Sequence, residues 1–435
     1  MADQPNTMIG KVFLTKLIDW MNPKTTISFL LFLFSTCFVF AKTITICKTG
    51  CDFNSIKTAV DSSKSGDSLF IKTGLYKESN IVIYKKSLYI TGEKGTVIDT
   101  QNKGYGFSVE ATDIIIKNLT IKNIEVSYTK EYAAILLFKS YDFVIENITV
   151  ERAFFGLLVQ KSKDGIIKNN TISGEGKAEA DSGNAIHLWH CENVKVLNND
   201  VRRMRDGIYL EFGNSSYIAN NYSTQNMRYG LHFMFSNDNA YENNTFEANG
   251  AGVAVMFSKR IKMFNNLFKK NWGTASYGIL LKEINDAELQ NNIFEDNTIG
   301  VNADGTNRIT FTENTFKNNG YAIKVHGACY DNIYSKNNFL HNSFDLSYSG
   351  KLNSNKFENN YWSNYTGYDL DKDGIGDVPY RPVKLFSYLV NRTPESIVLL
   401  RSLFIDIINF SEKVSPVFTP ENLIDNKPLM HKVTW

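Results

Sequence analysis

The 435-residue sequence predicts an all-β chain wound as a right-handed parallel β-helix with a short C-terminal helical tail, and three observations point there. The first is a recurrence of Asn followed after one or two residues by an apolar side chain, at Asn118, Asn147, Asn170, Asn199, Asn221, Asn244, Asn266, Asn292, Asn314, Asn338 and Asn360. Its base interval is 22 to 23 residues, with insertions in three coils that lengthen the step to 29, 29 and 26; a period of this size marks a solenoid of short strands. The second is alternation of apolar and polar residues inside each unit, as in Val194-Lys-Val-Leu-Asn-Asn-Asp-Val201, which excludes helical repeats. The third is a set of superimposable segments: Ala185 to His190, Gly207 to Phe212, Gly230 to Phe235 and Gly252 to Phe257.

Within those four segments the second and fourth positions share one apolar face, which must be the core: Ile186 and Leu188, Ile208 and Leu210, Leu231 and Phe233, Val253 and Val255. The third and fifth positions then face outward to solvent. They carry His187 and Trp189, Tyr209 and Glu211, His232 and Met234, Ala254 and Met256.

Taken in order, residues 1–41 read as an upstream extension and a signal peptide. Ile27 to Phe40 is almost wholly apolar, follows Lys24 and precedes Ala41, where cleavage is expected, and Met21 stands where such a signal ordinarily begins. Export to the periplasm follows, with an uncleaved anchor as the alternative. Residues 42–80 form an N-terminal cap: a strand at Ile44 to Ile46, a short helix over Phe53 to Val60, and a strand from Ser68 to Lys72. Cys47 and Cys51 fit a local disulfide in an oxidising compartment, or else a metal pair. Cys191 and Cys329 lie too many coils apart to bridge and are expected to be free.

The β-helix proper spans residues 81–362. Two insertions, Glu125 to Tyr132 and Gly174 to Gly183, precede the strands at Ala133 and Ala185 and project as loops that shape a binding face. Residues 363–382 hold Asp369-Leu-Asp-Lys-Asp-Gly-Ile-Gly-Asp377, in which Asp369, Asp371, Asp373 and Asp377 resemble the first half of a calcium loop; Tyr380 stands where the closing Glu belongs. A metal-free Asp/Gly turn is the other reading. The tail, residues 383–435, opens a helix at Thr393-Pro394 that is apolar nearly all round from Ile397 to Phe410, too short for a bilayer. It packs on the rod end or docks into a partner at the membrane.

The formal charge of +2 argues against nucleic acid as a partner, and the composition is not that of a helical bundle. The outward column carries the chemistry. Equivalent positions of successive coils lie about 4.8 Å apart, so Met234 and Met256 are neighbours with His232 beside them, and thioethers with an imidazole select a soft ion, Cu(I) first. His187 lies two layers from His232 across Tyr209 and is the weaker candidate. The alternative is that these side chains pack under the loops.

Arg228-Tyr-Gly-Leu-His-Phe-Met-Phe-Ser236, the Asn-rich coils, and the ending from Asn360-Tyr-Trp362 through Asp369 to Pro382 and on to Lys427-Pro-Leu-Met430 together resemble the NosD family over essentially the whole mature chain. The resemblance implies a periplasmic, non-catalytic accessory protein that assembles the copper centre of nitrous oxide reductase. It also implies an ABC transporter, whose permease the tail would meet, and a membrane-anchored copper chaperone as partners. The rival readings are a carbohydrate-active lyase or epimerase and a non-catalytic surface protein. Glu211, Lys282, Glu283 and Asp304 are strung over several layers rather than clustered as such an enzyme needs.

Overall fold

The computed structural model describes residues 41 to 435 apart from 128, 350 to 353, 401, 415 to 422 and 435. The extension and signal segment before Ala41 thus fall outside the described residues. Each regular coil contributes two strands to a 25-stranded sheet and one to a 12-stranded sheet, and strands pair in parallel with their equivalents one coil away. The fold is the expected parallel β-solenoid. Ile186, Leu188, Ile208, Leu210, Leu231, Phe233, Val253 and Val255 are fully buried in one continuous core, as the alternation requires.

The paired asparagines divide two tasks. The first of each pair, as in Asn198, Asn220, Asn243 and Asn265, takes a left-handed conformation with φ of 55° to 57° and turns the chain between the two strands of the large sheet. The second is buried and forms a ladder. Its side-chain oxygen accepts both the backbone N–H and an Nδ2–H of the equivalent Asn one coil earlier, as Asn221 does for Asn199 and Asn244 does for Asn221. The ladder runs from Asn170 through Asn199, Asn221, Asn244, Asn266, Asn292, Asn314 and Asn337 to Asn360. Three asparagines of the sequence recurrence fall outside it: Asn118 and Asn147 occupy the left-handed turn position, and Asn338 lies one residue beyond the ladder. A second ladder, from Asn226 through Asn249, Asn271, Asn297 and Asn319 to Asn342, was not anticipated. Four of these asparagines have their apolar residue four positions on, Val253, Val301, Ile323 and Leu346, beyond the one- or two-residue offset that marked the repeat.

The strands of the small sheet begin at small residues because coils approach closely there. A Cβ on Gly230 would lie 2.7 Å from the carbonyl oxygen of Gly252. At the N-terminal end, helix α1 (Ile56–Ser62) buries Ile56, Ala59 and Val60. Ser55 caps it, and the Glu78 carboxylate accepts the N–H groups of Ile56 and Lys57. A disulfide joins Cys47 to Cys51, with Cα atoms 5.5 Å apart, while Cys191 and Cys329 are free and buried.

The C-terminal end differs from the expected continuous helix. Helix α2 (Leu385–Arg392) is followed by a 3₁₀ turn (Pro394–Leu399) and helix α3 (Leu403–Val414). Thr393 closes α2, its N–H donating to Leu389, and its side chain caps no N–H of the 3₁₀ turn, so Pro394 opens only that tight turn. Phe386, Val390 and Ile405 pack on Phe344, whose ring stacks on Tyr321 of the preceding coil. The chain then returns to the rod. Asp425 takes the place of the next ladder Asn, its carboxylate accepting from the backbone and side chain of Asn360 and from Trp362 Nε1, and Leu429 pairs with Tyr361. Residues from Leu423 onward therefore close the rod, and only the stretch before them is an excursion.

Candidate functional site

The outer face of the small sheet carries two side-chain columns fixed by the strand register. One runs Leu136, Leu158, His187, Tyr209, His232, Ala254. The other runs Gln160, Trp189, Glu211, Met234, Met256, Lys282, Asp304. Met234 and Met256 are direct partners, both partly exposed, and the Tyr209 hydroxyl lies 3.7 Å from Met234 Sδ. Glu211 and Lys282 flank the pair along the rod.

The expectation that the third positions face solvent fails for the histidines. His187 is 6 % and His232 3 % exposed, and Ala254 is buried. They lie outside the core, with parity opposite to Leu188 and Phe233, but neighbouring rings cover them. Phe155, His187, Tyr209 and His232 form a stack with centroids 5.9, 4.7 and 4.5 Å apart, and Tyr229 leans on His232 at 4.8 Å. Large rings at about 4.8 Å layer spacing shield one another, which a count of alternating positions does not register.

Neither ring nitrogen of His187 or His232 has a hydrogen-bond partner. Burial pushes the His187 pKa down from 6.5 to about 3, with the Arg205 charge adding to the effect, so the ring is neutral at physiological pH. His232 Nδ1 stands 3.6 Å from an oxygen of the buried Asp206, whose other oxygen lies 3.8 Å from Arg228 Nε and accepts the N–H of Tyr229. His232 stands two residues before Met234 on one strand, and an imidazole together with two thioethers would be a donor set that suits a soft cation. The register keeps His187 and His232 apart, with Tyr209 between them, so they do not share one ion.

Upstream on the same face, the two insertions border an open cavity of about 700 Å³. Phe155 and Leu158 lie at its floor, Lys130, Glu131 and Glu179 come from the loops, and Arg205 closes one side. Sequence reading placed the loops here but assigned none of these residues. Charged residues inside both insertions were the available signal.

Downstream, Asp369, Asp371 and Asp373 bring carboxylate oxygens within 4.8 Å of one another, whereas Asp377 accepts from the Leu370 N–H. The Asp373 N–H donates to Asp371, yet the crowding of neighbouring carboxylates leaves the pKa of Asp371 raised. Tyr380, in the closing position of the loop, is engaged elsewhere: its hydroxyl meets Asp345 and its ring packs on Trp362. Beyond it the tail exposes Val398, Leu403, Phe404, Ile407 and Phe410, with Leu403 75 % and Phe410 68 % exposed. Among the described residues no helix is long and apolar enough to cross a membrane.

A family model described as periplasmic copper-binding protein (NosD) matches residues 173–367. A curated relative from Stutzerimonas stutzeri, named a probable ABC transporter binding protein NosD, is 28% identical over 78% of this chain and 81% of its own length. Its counterpart from Pseudomonas aeruginosa, of the same name, is 28% identical over 81% of this chain and 85% of its own. Among solved structures, a family 28 exopolygalacturonase of Yersinia enterocolitica superimposes with a TM-score of 0.58 at 12% identity, over 74% of this chain and 78% of that one, a likeness of fold alone.

Proposed function

We propose, from the premise that this chain belongs to the NosD family of periplasmic copper-binding proteins, that it is a non-catalytic accessory protein which passes Cu(I) toward the copper centre of nitrous oxide reductase. The observation that carries this reading is the register pairing of Met234 with Met256, with His232, whose ring nitrogens make no hydrogen bond, two residues before Met234 on the same strand. Copper here is cargo. Two partly exposed thioethers would take the ion at the surface and His232 would hold it from behind, an arrangement suited to release as much as to capture. His187, two layers from His232 across Tyr209, would play a secondary part. A membrane-anchored copper chaperone would deliver the ion.

Relatives are named for binding an ABC transporter, and the exposed apolar side of the tail supports a contact of this chain with the permease. Asp369, Asp371 and Asp373, with Asp377 nearby, would take a calcium ion that stiffens the loop leading into the tail. Export, with loss of the signal near Ala41, would put all of this in the periplasm, held at the membrane through its partners.

The test replaces Met234 and Met256 together by Leu, which keeps bulk and removes sulfur. The rod should fold normally while the reductase matured in that strain is depleted of copper; a reductase with its full copper content would refute the assignment. Replacing Leu403, Phe404 and Phe410 by Ser should separately abolish copurification with the transporter without altering the thermal midpoint. Retained copurification would remove the tail from the interface.

A further inference from the structure

The cavity between the two insertions lies apart from the Met234 and Met256 pair and has no part in the copper reading. Its floor is aromatic and aliphatic: Phe155 and Leu158 lie buried beneath it, and Leu136 and Tyr105 are the partly exposed side chains. Its walls are polar and carry both signs of charge. The Arg205 guanidinium uses Nε to hold Asn184 Oδ1 at 3.3 Å, and among the described residues its terminal nitrogens meet no carboxylate. Lys130 lies over the Tyr132 ring and, among the described residues, likewise forms no ion pair. Of the acids, Glu131 accepts from Gln160 at 3.3 Å, while Glu179 stands exposed at the rim. Behind Arg205, the Nδ2 of buried Asn184 has no hydrogen-bond partner.

Such a lining selects a chemistry. Two cations without carboxylate partners favour a ligand carboxylate, which a guanidinium grips in a planar fork. Acceptors and donors interleaved around the remaining wall, from Glu131 and Glu179 to Tyr105 and Lys130, require groups that both donate and accept, which hydroxyls do. The apolar floor suits the face of a compact ring. A cavity of about 700 Å³ falls within the range of small-ligand sites, large enough for two joined rings. We infer that this cavity is a binding site for a short uronic-acid saccharide, with Arg205 and Lys130 holding the carboxylate and the ring resting over Leu136 and Tyr105. No reaction is implied; the site would hold a carbohydrate upstream of the methionine pair on the same face.

The probe is digalacturonate, titrated by calorimetry into the full mature protein, with maltose as the uncharged comparison. Saturable binding of digalacturonate, weaker by about tenfold or more for maltose and for Arg205→Gln, is expected from loss of a charge-assisted contact. Lys130→Gln, on the exposed loop, provides a second variant that cannot disturb the coils and should also weaken binding. Absence of saturable binding overturns the inference, as does equal affinity for the two sugars or binding indifferent to both variants. Met234→Leu with Met256→Leu should bind the sugar unchanged, so failure here and failure of the copper reading are separable outcomes.

Discussion

The outer faces of the two sheets are built on the same coils and have the same alternation, yet they differ in kind. On the large sheet, many outward side chains are charged or hydroxyl-bearing and pair in the open, as Lys168 does with Glu146 at 3.2 Å and the Tyr217 hydroxyl with Glu242 at 2.9 Å, with scattered aliphatics such as Ile293 and Ile333 among them. On the small sheet, outward positions hold a cavity, a stack of buried rings, a methionine pair and, at the far end, helices that still expose apolar surface. A solenoid repeats its backbone but not its chemistry, and the face that departs from the simple polar-outside rule is the one to which we assign the proposed function.

Breaking the ladder that supports both faces should have the largest effect. Asn244→Ala removes the acceptor for Asn221 N–H and Nδ2–H together with the donor to Asn266 and Ile218, leaving several buried groups unpaired. A loss of about 3 kcal/mol or more in denaturant unfolding is expected. Asp425→Ala should approach it, since one carboxylate serves Asn360 and Trp362 at the rod end. A midpoint shift confined to the tail helices would show that the rod closes without it.

The ring stack should reveal itself through pH. An unfolded chain protonates His187 below about 6.5, whereas the folded chain resists until about 3 because burial penalises the imidazolium. The contribution is intact at neutral pH and is lost as the pH falls through that window, by up to about 1.4 kcal/mol per pH unit. His187→Phe preserves the stack on Phe155 and Tyr209 and should flatten the dependence of stability on pH between 7 and 5. An unchanged slope would mean that the site admits a proton.

The smallest effect belongs to the large sheet's surface. Lys168→Ala should change stability by no more than about 0.5 kcal/mol, as exposed ion pairs do. A larger cost would erase the distinction between the faces.

Much of this contrast was legible in the sequence. The period located the coils, parity placed Leu231 and Phe233 inside, and register made Met234 and Met256 neighbours, because each depends only on spacing along the chain. What spacing does not encode was missed. Burial of His187 and His232 arises from rings on adjacent coils. The cavity arises from insertions that have no repeat to define them. The fate of the tail depends on Asp425, an acidic residue completing an Asn ladder 65 residues after Asn360. In the tail, apolar content foretold helices, but the break at Thr393 follows from its use in closing α2.

Competition for Cu(I) against a chromophoric chelator, run on the folded mature protein and on the Met234→Leu, Met256→Leu variant, tests the account most directly. The native protein should withdraw one equivalent of Cu(I) with modest affinity, and the variant should do so at least about tenfold less well, because two thioether donors are gone while the fold persists. Equal withdrawal by the two proteins, or none by either, would contradict the assignment of the outer face of the small sheet to copper.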